Sequence, residues 1–119
     1  MPATLAADVV THEVFGSQLR FVASPANGAV ETGLLRCHVP AGGVFPAHSH
    51  DREEIIYFLA GDGAYTVDGQ DGAFGAGDVV VIPADLVHEF RIGSAVDCIA
   101  VSPAGTKMFA PDGSEIVLG

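Results

Sequence analysis

Short apolar runs broken by turn signals organise this chain from end to end. "EVFGSQLRFVAS" leads to "PANG", "GLLRCHV" to "PAGG", "EEIIYFLA" to "GDG", "AYTV" to "DGQDG", "DVVVI" to "PAD" and "VDCIAV" to "SPAG". The runs are rich in Val, Ile, Phe and Tyr, which suit a pleated, half-buried surface. Asn-Gly, Asp-Gly and Gly-Gly supply the positive φ angles of tight turns, and each Pro breaks a ladder or opens a turn. No stretch between breakers has the length and 3.6-residue period of an amphipathic helix. The pattern predicts an all-β sandwich or small barrel, with residues 1–119 as one domain. Strand order does not follow from the pattern.

One run is apolar on both alternating faces. In "EEIIYFLA", Ile56 and Phe58 share one face, while Ile55, Tyr57 and Leu59 share the other. A strand covered on both sides has this pattern. In 119 residues the second cover is either the chain's own N-terminal segment or another subunit, and a homodimer is expected.

Composition narrows the partners. Hydrophobic residues make up 49% and charged ones 17%, so a packed fold rather than disorder is expected. The net charge is -10, with Lys107 the single lysine beside four arginines. No basic stripe exists for nucleic acid, and an anionic membrane surface is disfavoured for the same reason. No apolar run approaches the ~18 residues of a membrane span, and "MPATLAADVV" lacks the pattern of a leader segment, so a cytoplasmic protein is expected. Cys37 and Cys98 read as buried, reduced thiols.

Candidate chemistry is concentrated in "AHSHDREE". Residues two apart on a strand share a face, so His48, His50 and Glu54 project to one side if the segment is extended throughout, with Ser49 and Glu53 facing away. Two imidazoles and a carboxylate converging from one side suit a divalent metal. "GDVVVIPADLVHEF" adds His88 at the start of another strand. His12 and His38 read as packed or surface residues. No Gly-x-Ser-x-Gly elbow accompanies Ser49, and adjacent Cys37 and His38 point to opposite faces. "DGAYTVDGQDG" lacks the spacing of a calcium loop and reads as a hairpin and turn.

The spacings resemble a known pattern. Gly42, five residues, His48, one residue, His50, three residues, Glu54, six residues and Gly61 match the first cupin motif in full. The second motif is matched by Gly77, Pro83 and His88, with Asp85 in the place of a Gly and Ile92 in the place of an Asn. The intermotif stretch, Asp62 to Ala76, is short. This resemblance to small single-domain cupins implies a β-jelly-roll barrel (a double-stranded β-helix) with its core at about residues 30–103 and the terminal segments packed on it. It also implies one metal ion held by His48, His50, Glu54 and His88. A donor set without thiolate suits Fe, Mn, Ni, Cu or Zn as the divalent ion, and four protein ligands leave positions for water or substrate.

Proteins similar to this one include dioxygenases, decarboxylases, isomerases, lyases and cyclases acting on small oxygenated molecules. The expected function is therefore that of a metal-dependent enzyme on such a small-molecule substrate. The alternative is a non-catalytic module that binds or senses a small ligand through the metal. The resemblance places Phe45, Ile56, Phe58 and Phe90 on the wall of an apolar pocket. His38, Tyr57 and Arg36 are the candidates for a general base. Because imidazole binds metal only when neutral, acid is expected to release the metal over about pH 4 to 6.

Overall fold

Turn chemistry sets the strand boundaries. The computed structural model describes residues 3–118. Its strands are β1 (Thr11–Val14), β2 (Ser17–Ala23), β3 (Thr32–Val39), β4 (Val44–His50), β5 (Glu54–Ala60) and β6 (Asp62–Val67). They continue as β7 (Gln70–Gly75), β8 (Val79–Ile82), β9 (His88–Ile92), β10 (Val96–Pro103), β11 (Met108–Phe109) and β12 (Glu115–Ile116). Among the described residues the helical elements are two single 3₁₀ turns, Ala6–Asp8 and Pro25–Asn27.

Asp68-Gly69 forms the two-residue turn between β6 and β7, with both φ angles positive (50° and 75°). That is the type of turn whose twist suits a hairpin. The run read as one strand from Glu13 to Ser24 instead breaks at Phe15-Gly16, with φ of 51° and 76°. Phenylalanine rarely enters the left-handed region. Here its ring meets Phe45 edge-on, with centroids 5.6 Å apart.

Two antiparallel six-stranded sheets face one another as a β-jelly-roll. One has the order β1-β2-β3-β10-β5-β8 and the other β12-β11-β4-β9-β6-β7. Between them lies the core, where alternate residues of β3, β5, β9 and β10 turn inward. Phe58 stacks on Phe74 with centroids 4.0 Å apart, and Phe90 meets both rings edge-on. Burying each such side chain contributes about 1.5–3 kcal/mol. Gly61 closes β5 with φ of 90°, and a Cβ there would run into the Ala95 carbonyl oxygen. Only glycine fits that close approach.

The outward face of β5 is not covered by the N-terminal segment. β1 and β2 extend the first sheet sideways, beyond β3. Ile55, Tyr57 and Leu59 stay 38%, 44% and 41% exposed, beside Val79 and Val81 of β8 at 53% each. One cross-strand row on this face runs Arg20, Arg36, Ile99, Tyr57, Val79.

Candidate metal centre

Two strands of one sheet and the first residue of a strand in the other sheet build the site. His48 and His50 end β4, and His48 stands opposite His88 of β9 in the antiparallel register. The ring centroids lie 4.2 Å (His48 to His88), 5.0 Å (His48 to His50) and 5.4 Å (His50 to His88) apart. Glu54 does not continue the histidine strand. The chain bends through Asp51, Arg52 and Glu53, and Glu54 begins β5 in the facing sheet. The expected convergence is present, but by a different route. A turn between two sheets brings Glu54 back, where shared parity on one strand had been expected to do so.

Each imidazole is oriented from behind by the backbone. Nδ1–H donates to the carbonyl of Pro46 from His48 (2.7 Å), of Lys107 from His50 (3.3 Å) and of Leu86 from His88 (3.0 Å). A carbonyl only accepts, so the proton sits on Nδ1 and the lone pair on Nε2. One donor atom from each of the three histidines can be chosen so that all lie within 4.8 Å of one another. His88 is 1% exposed, and its Nε2 is buried with no hydrogen-bond partner. A buried acceptor left alone is costly; a metal ion would satisfy it. The carboxylate of Glu54 lies 3.5 Å from His50 Nε2 and 3.8 Å from His88 Nε2. The three imidazoles form a group that could hold one divalent ion, and the carboxylate of Glu54 stands beside two of them, outside that group.

Burial dominates the electrostatics. It holds His48 down to about 3 and His50 down to about 4, with neighbouring His88 adding to both, and it lowers His88 as well. It pushes the Glu54 carboxyl up to about 7. Burial therefore favours the neutral form of both groups where His50 and Glu54 approach. Burial thus favours the neutral, metal-binding form of all three imidazoles, and the acid release expected over about pH 4 to 6 would come from protons competing for those same nitrogens.

The site opens on a cavity of about 290 Å³ between the sheets. Phe45, Ile56, Phe58 and Phe90 line it, as expected. His48, His50 and Glu54 contribute the ionisable part of its wall, with His88 buried against them. Sequence reasoning missed Cys37 and Cys98, which are free, paired in register across β3 and β10, and part of the wall. Inward parity with Leu35 and Val39 could have placed Cys37 there. The proposed bases His38, Tyr57 and Arg36 do not line the cavity. They alternate with inward residues and stand on the outer face, where His38 Nδ1 meets Asp97 at 3.0 Å. His12 packs edge-on against Phe21, also away from the cavity wall.

Residues 35–102 match the cupin domain family. The chain is a cupin. Solved structures with the same fold include the polyketide cyclase RemF from Streptomyces resistomycificus, 23% identical with a TM-score of 0.76. That alignment covers 100% of this chain and 87% of the cyclase. A predicted oxalate decarboxylase from Thermotoga maritima is 20% identical, with a TM-score of 0.71 over 86% of this chain and 98% of the other. Salicylate 1,2-dioxygenase from Pseudoaminobacter salicylatoxidans, solved with gentisate, is 16% identical, with a TM-score of 0.71 over 78% of this chain and 26% of the dioxygenase.

The two departures from the second cupin motif have different consequences. Asp85 adopts φ of 68°, the left-handed conformation that a glycine would take, and its N–H donates to the His50 carbonyl at 2.7 Å. The turn before His88 is thus kept, and tied to the histidine strand. Ile92 is buried and lines the cavity, so an apolar wall replaces an amide there.

Proposed function

We propose that this cupin is a mononuclear metal-dependent enzyme acting on a small oxygenated organic molecule. The observation that carries the reading is the convergence of three backbone-oriented imidazoles, lone pairs inward, at the polar end of an apolar cavity. His48, His50, His88 and Glu54 would hold one divalent ion, of Fe, Mn, Ni, Cu or Zn. Such an ion supplies a Lewis acid with open positions for a substrate oxygen or for dioxygen. The chain itself orients the donors through the carbonyls of Pro46, Leu86 and Lys107 and keeps water from them by burial. It offers a substrate body the rings of Phe45, Phe58 and Phe90. Cyclase, dioxygenase and decarboxylase activities among proteins of this fold support the reaction class without selecting one.

A non-catalytic binding or sensing module is the second reading. It is favoured by one observation: apart from the site residues, no aspartate, lysine, arginine or tyrosine lines the cavity among the described residues. Protein reconstituted with each metal and offered a panel of diketones, flavonols and hydroxy acids separates the two. Turnover or oxygen uptake supports the enzyme; metal-dependent binding without product supports the module.

The assembly we propose is a homodimer that covers the outer face of β5 and β8 with a second copy, in a single-domain chain. The apolar residues left exposed there support it, and light scattering tests it. A reducing, cytoplasmic setting fits two buried free thiols. Among the described residues no helix is long and apolar enough to cross a membrane.

A further inference from the structure

All five cationic side chains of this acidic chain stand away from the cavity wall. Arg20 donates to the Ala6 carbonyl at 2.9 Å, and Arg36 lies beside it on the outer face of the first sheet. Arg52 is exposed in the bend between β4 and β5. Arg91 donates to Glu89 at 2.6 Å and to Thr66 at 3.0 Å, while Lys107 Nζ approaches Glu115 at 3.7 Å. Beyond the histidines and Glu54, the wall is aliphatic, aromatic and sulfur-bearing, with the hydroxyls of Ser24, Ser102 and Thr106 its only other polar side chains among the described residues. The Thr106 hydroxyl is already committed to the Pro103 carbonyl.

That distribution limits the charge a ligand can bring. A divalent ion held by three neutral imidazoles and one carboxylate carries a single net positive charge. One anionic oxygen on the ligand cancels it. A second negative charge would face an apolar wall with no cationic side chain among the described residues, where an unpaired charge is costly. The volume, about 290 Å³, lies just below the ~300–1,000 Å³ typical of small-molecule sites, which favours a small body of one or two rings. Resting on the metal-site reading above, we propose that the cavity takes an apolar, ring-bearing molecule that ionises at one oxygen, such as an enolisable diketone or a phenol, and discriminates against dicarboxylates and phosphate esters. In this it would part from an oxalate-type substrate despite sharing that fold.

Three 1,3-oxygen chelators test the class by calorimetry on zinc-loaded protein, with zinc uptake measured first and zinc retention measured afterwards. Benzoylacetone carries a phenyl ring and ionises once. Phenylmalonate carries the same ring and two carboxylates. Acetylacetone ionises once and lacks the ring. Benzoylacetone is expected to bind at least about tenfold more tightly than either of the others, a difference of about 1.4 kcal/mol. Phenylmalonate binding as tightly as benzoylacetone would overturn the charge limit, and acetylacetone doing so would overturn the apolar body. In both cases the metal site would stand. A chain that takes up no zinc, with His88→Ala indistinguishable from it, would overturn the metal-site reading itself and the substrate class with it.

Discussion

Two histidine–carboxylate pairs lie on opposite faces of this barrel's walls, and they behave in opposite ways. His38 and Asp97 meet at 3.0 Å on the outer face, both side chains 43% exposed. His50 and Glu54 meet at the looser distance of 3.5 Å inside, where little of either side chain reaches water. Distance would rank the outer pair first. Solvent reverses the order, because an exposed pair of this kind contributes about 0–1 kcal/mol and is screened by salt. Inside, burial drives the Glu54 carboxyl up to about 7 and His50 down to about 4, and leaves His88 Nε2 with no hydrogen-bond partner. What makes a histidine a candidate ligand here is the carbonyl behind it and two more imidazoles beside it, not the nearest carboxylate.

Substitution of one histidine from each region is the sharpest way to break that contrast. His88→Ala should weaken metal uptake by more than the 10–100-fold that loss of an outer-shell partner costs. His38→Ala should leave uptake unchanged. Metal content after reconstitution and dialysis reads both, and equal losses in the two variants would erase the distinction.

The buried pair adds a carboxyl to the origin of the pH dependence. In metal-free protein Glu54 holds its proton to about pH 7, so metal must displace it, and affinity should rise with pH up to that point. Glu54→Gln should bind at least about tenfold more weakly and lose that slope. A slope retained in the variant would return control to the histidines. Stability of the metal-free chain follows two opposed terms. The histidines, lowered from 6.5, lend stability that is complete above pH 6.5 and is lost as pH falls toward 4 and 3. Glu54, raised from 4.5, lends stability that is complete below pH 4.5 and is lost as pH rises to about 7. Three histidines outweigh one carboxyl, so Tm should fall between pH 6.5 and 4, by about 5 °C or more. A level or rising Tm over that window would show that the imidazoles are not held neutral by burial.

The outer face supplies a third contrast, between two sides of one strand. Tyr57→Lys places a charge amid Ile55, Val79 and Ile99, whereas its neighbours Ile56 and Phe58 remain in the core. The expected outcome is a shift from dimer to monomer in light scattering with metal uptake unchanged. A wild-type chain that scatters as a monomer would remove the reason for that face to be apolar.

Much of this was legible in the sequence, for identifiable reasons. Alternation in "EEIIYFLA" separated Ile56 and Phe58 from Ile55 and Tyr57 correctly, but could not say that the second set would lie bare. The same alternation places Tyr57 opposite to Ile56, and Arg36 and His38 opposite to Cys37, so their exclusion from the cavity follows once the inward parity is known. The spacing of His48, His50 and His88 named the three histidines that the structure gathers, while the bend at Asp51–Glu53 that delivers Glu54 from the facing sheet left no apolar pattern to read. Phe15-Gly16 was hidden because phenylalanine is not a turn residue. β11 and β12, two residues each, are too short to alternate. The carbonyls of Pro46, Leu86 and Lys107 that hold the imidazoles are backbone atoms and carry no side-chain signal.

The smallest expected effect sits at the turn before His88. Asp85 stands where the motif has glycine and adopts φ of 68°, its N–H bonded to the His50 carbonyl. Aspartate tolerates this conformation better than most residues, and glycine tolerates it freely. Asp85→Gly should therefore change stability by less than about 0.5 kcal/mol, the relief of strain being offset by a looser unfolded chain. Asp85→Val puts a β-branched side chain into the left-handed region and should cost about 1–2 kcal/mol. It should also weaken metal uptake, since the strained turn lies three residues from His88. Denaturant melts of the two metal-free variants measure the first effect, and zinc titration measures the second. A loss above about 1 kcal/mol in Asp85→Gly would mean that the aspartate side chain itself holds the turn, and that the backbone conformation alone does not explain why the departure from glycine is tolerated.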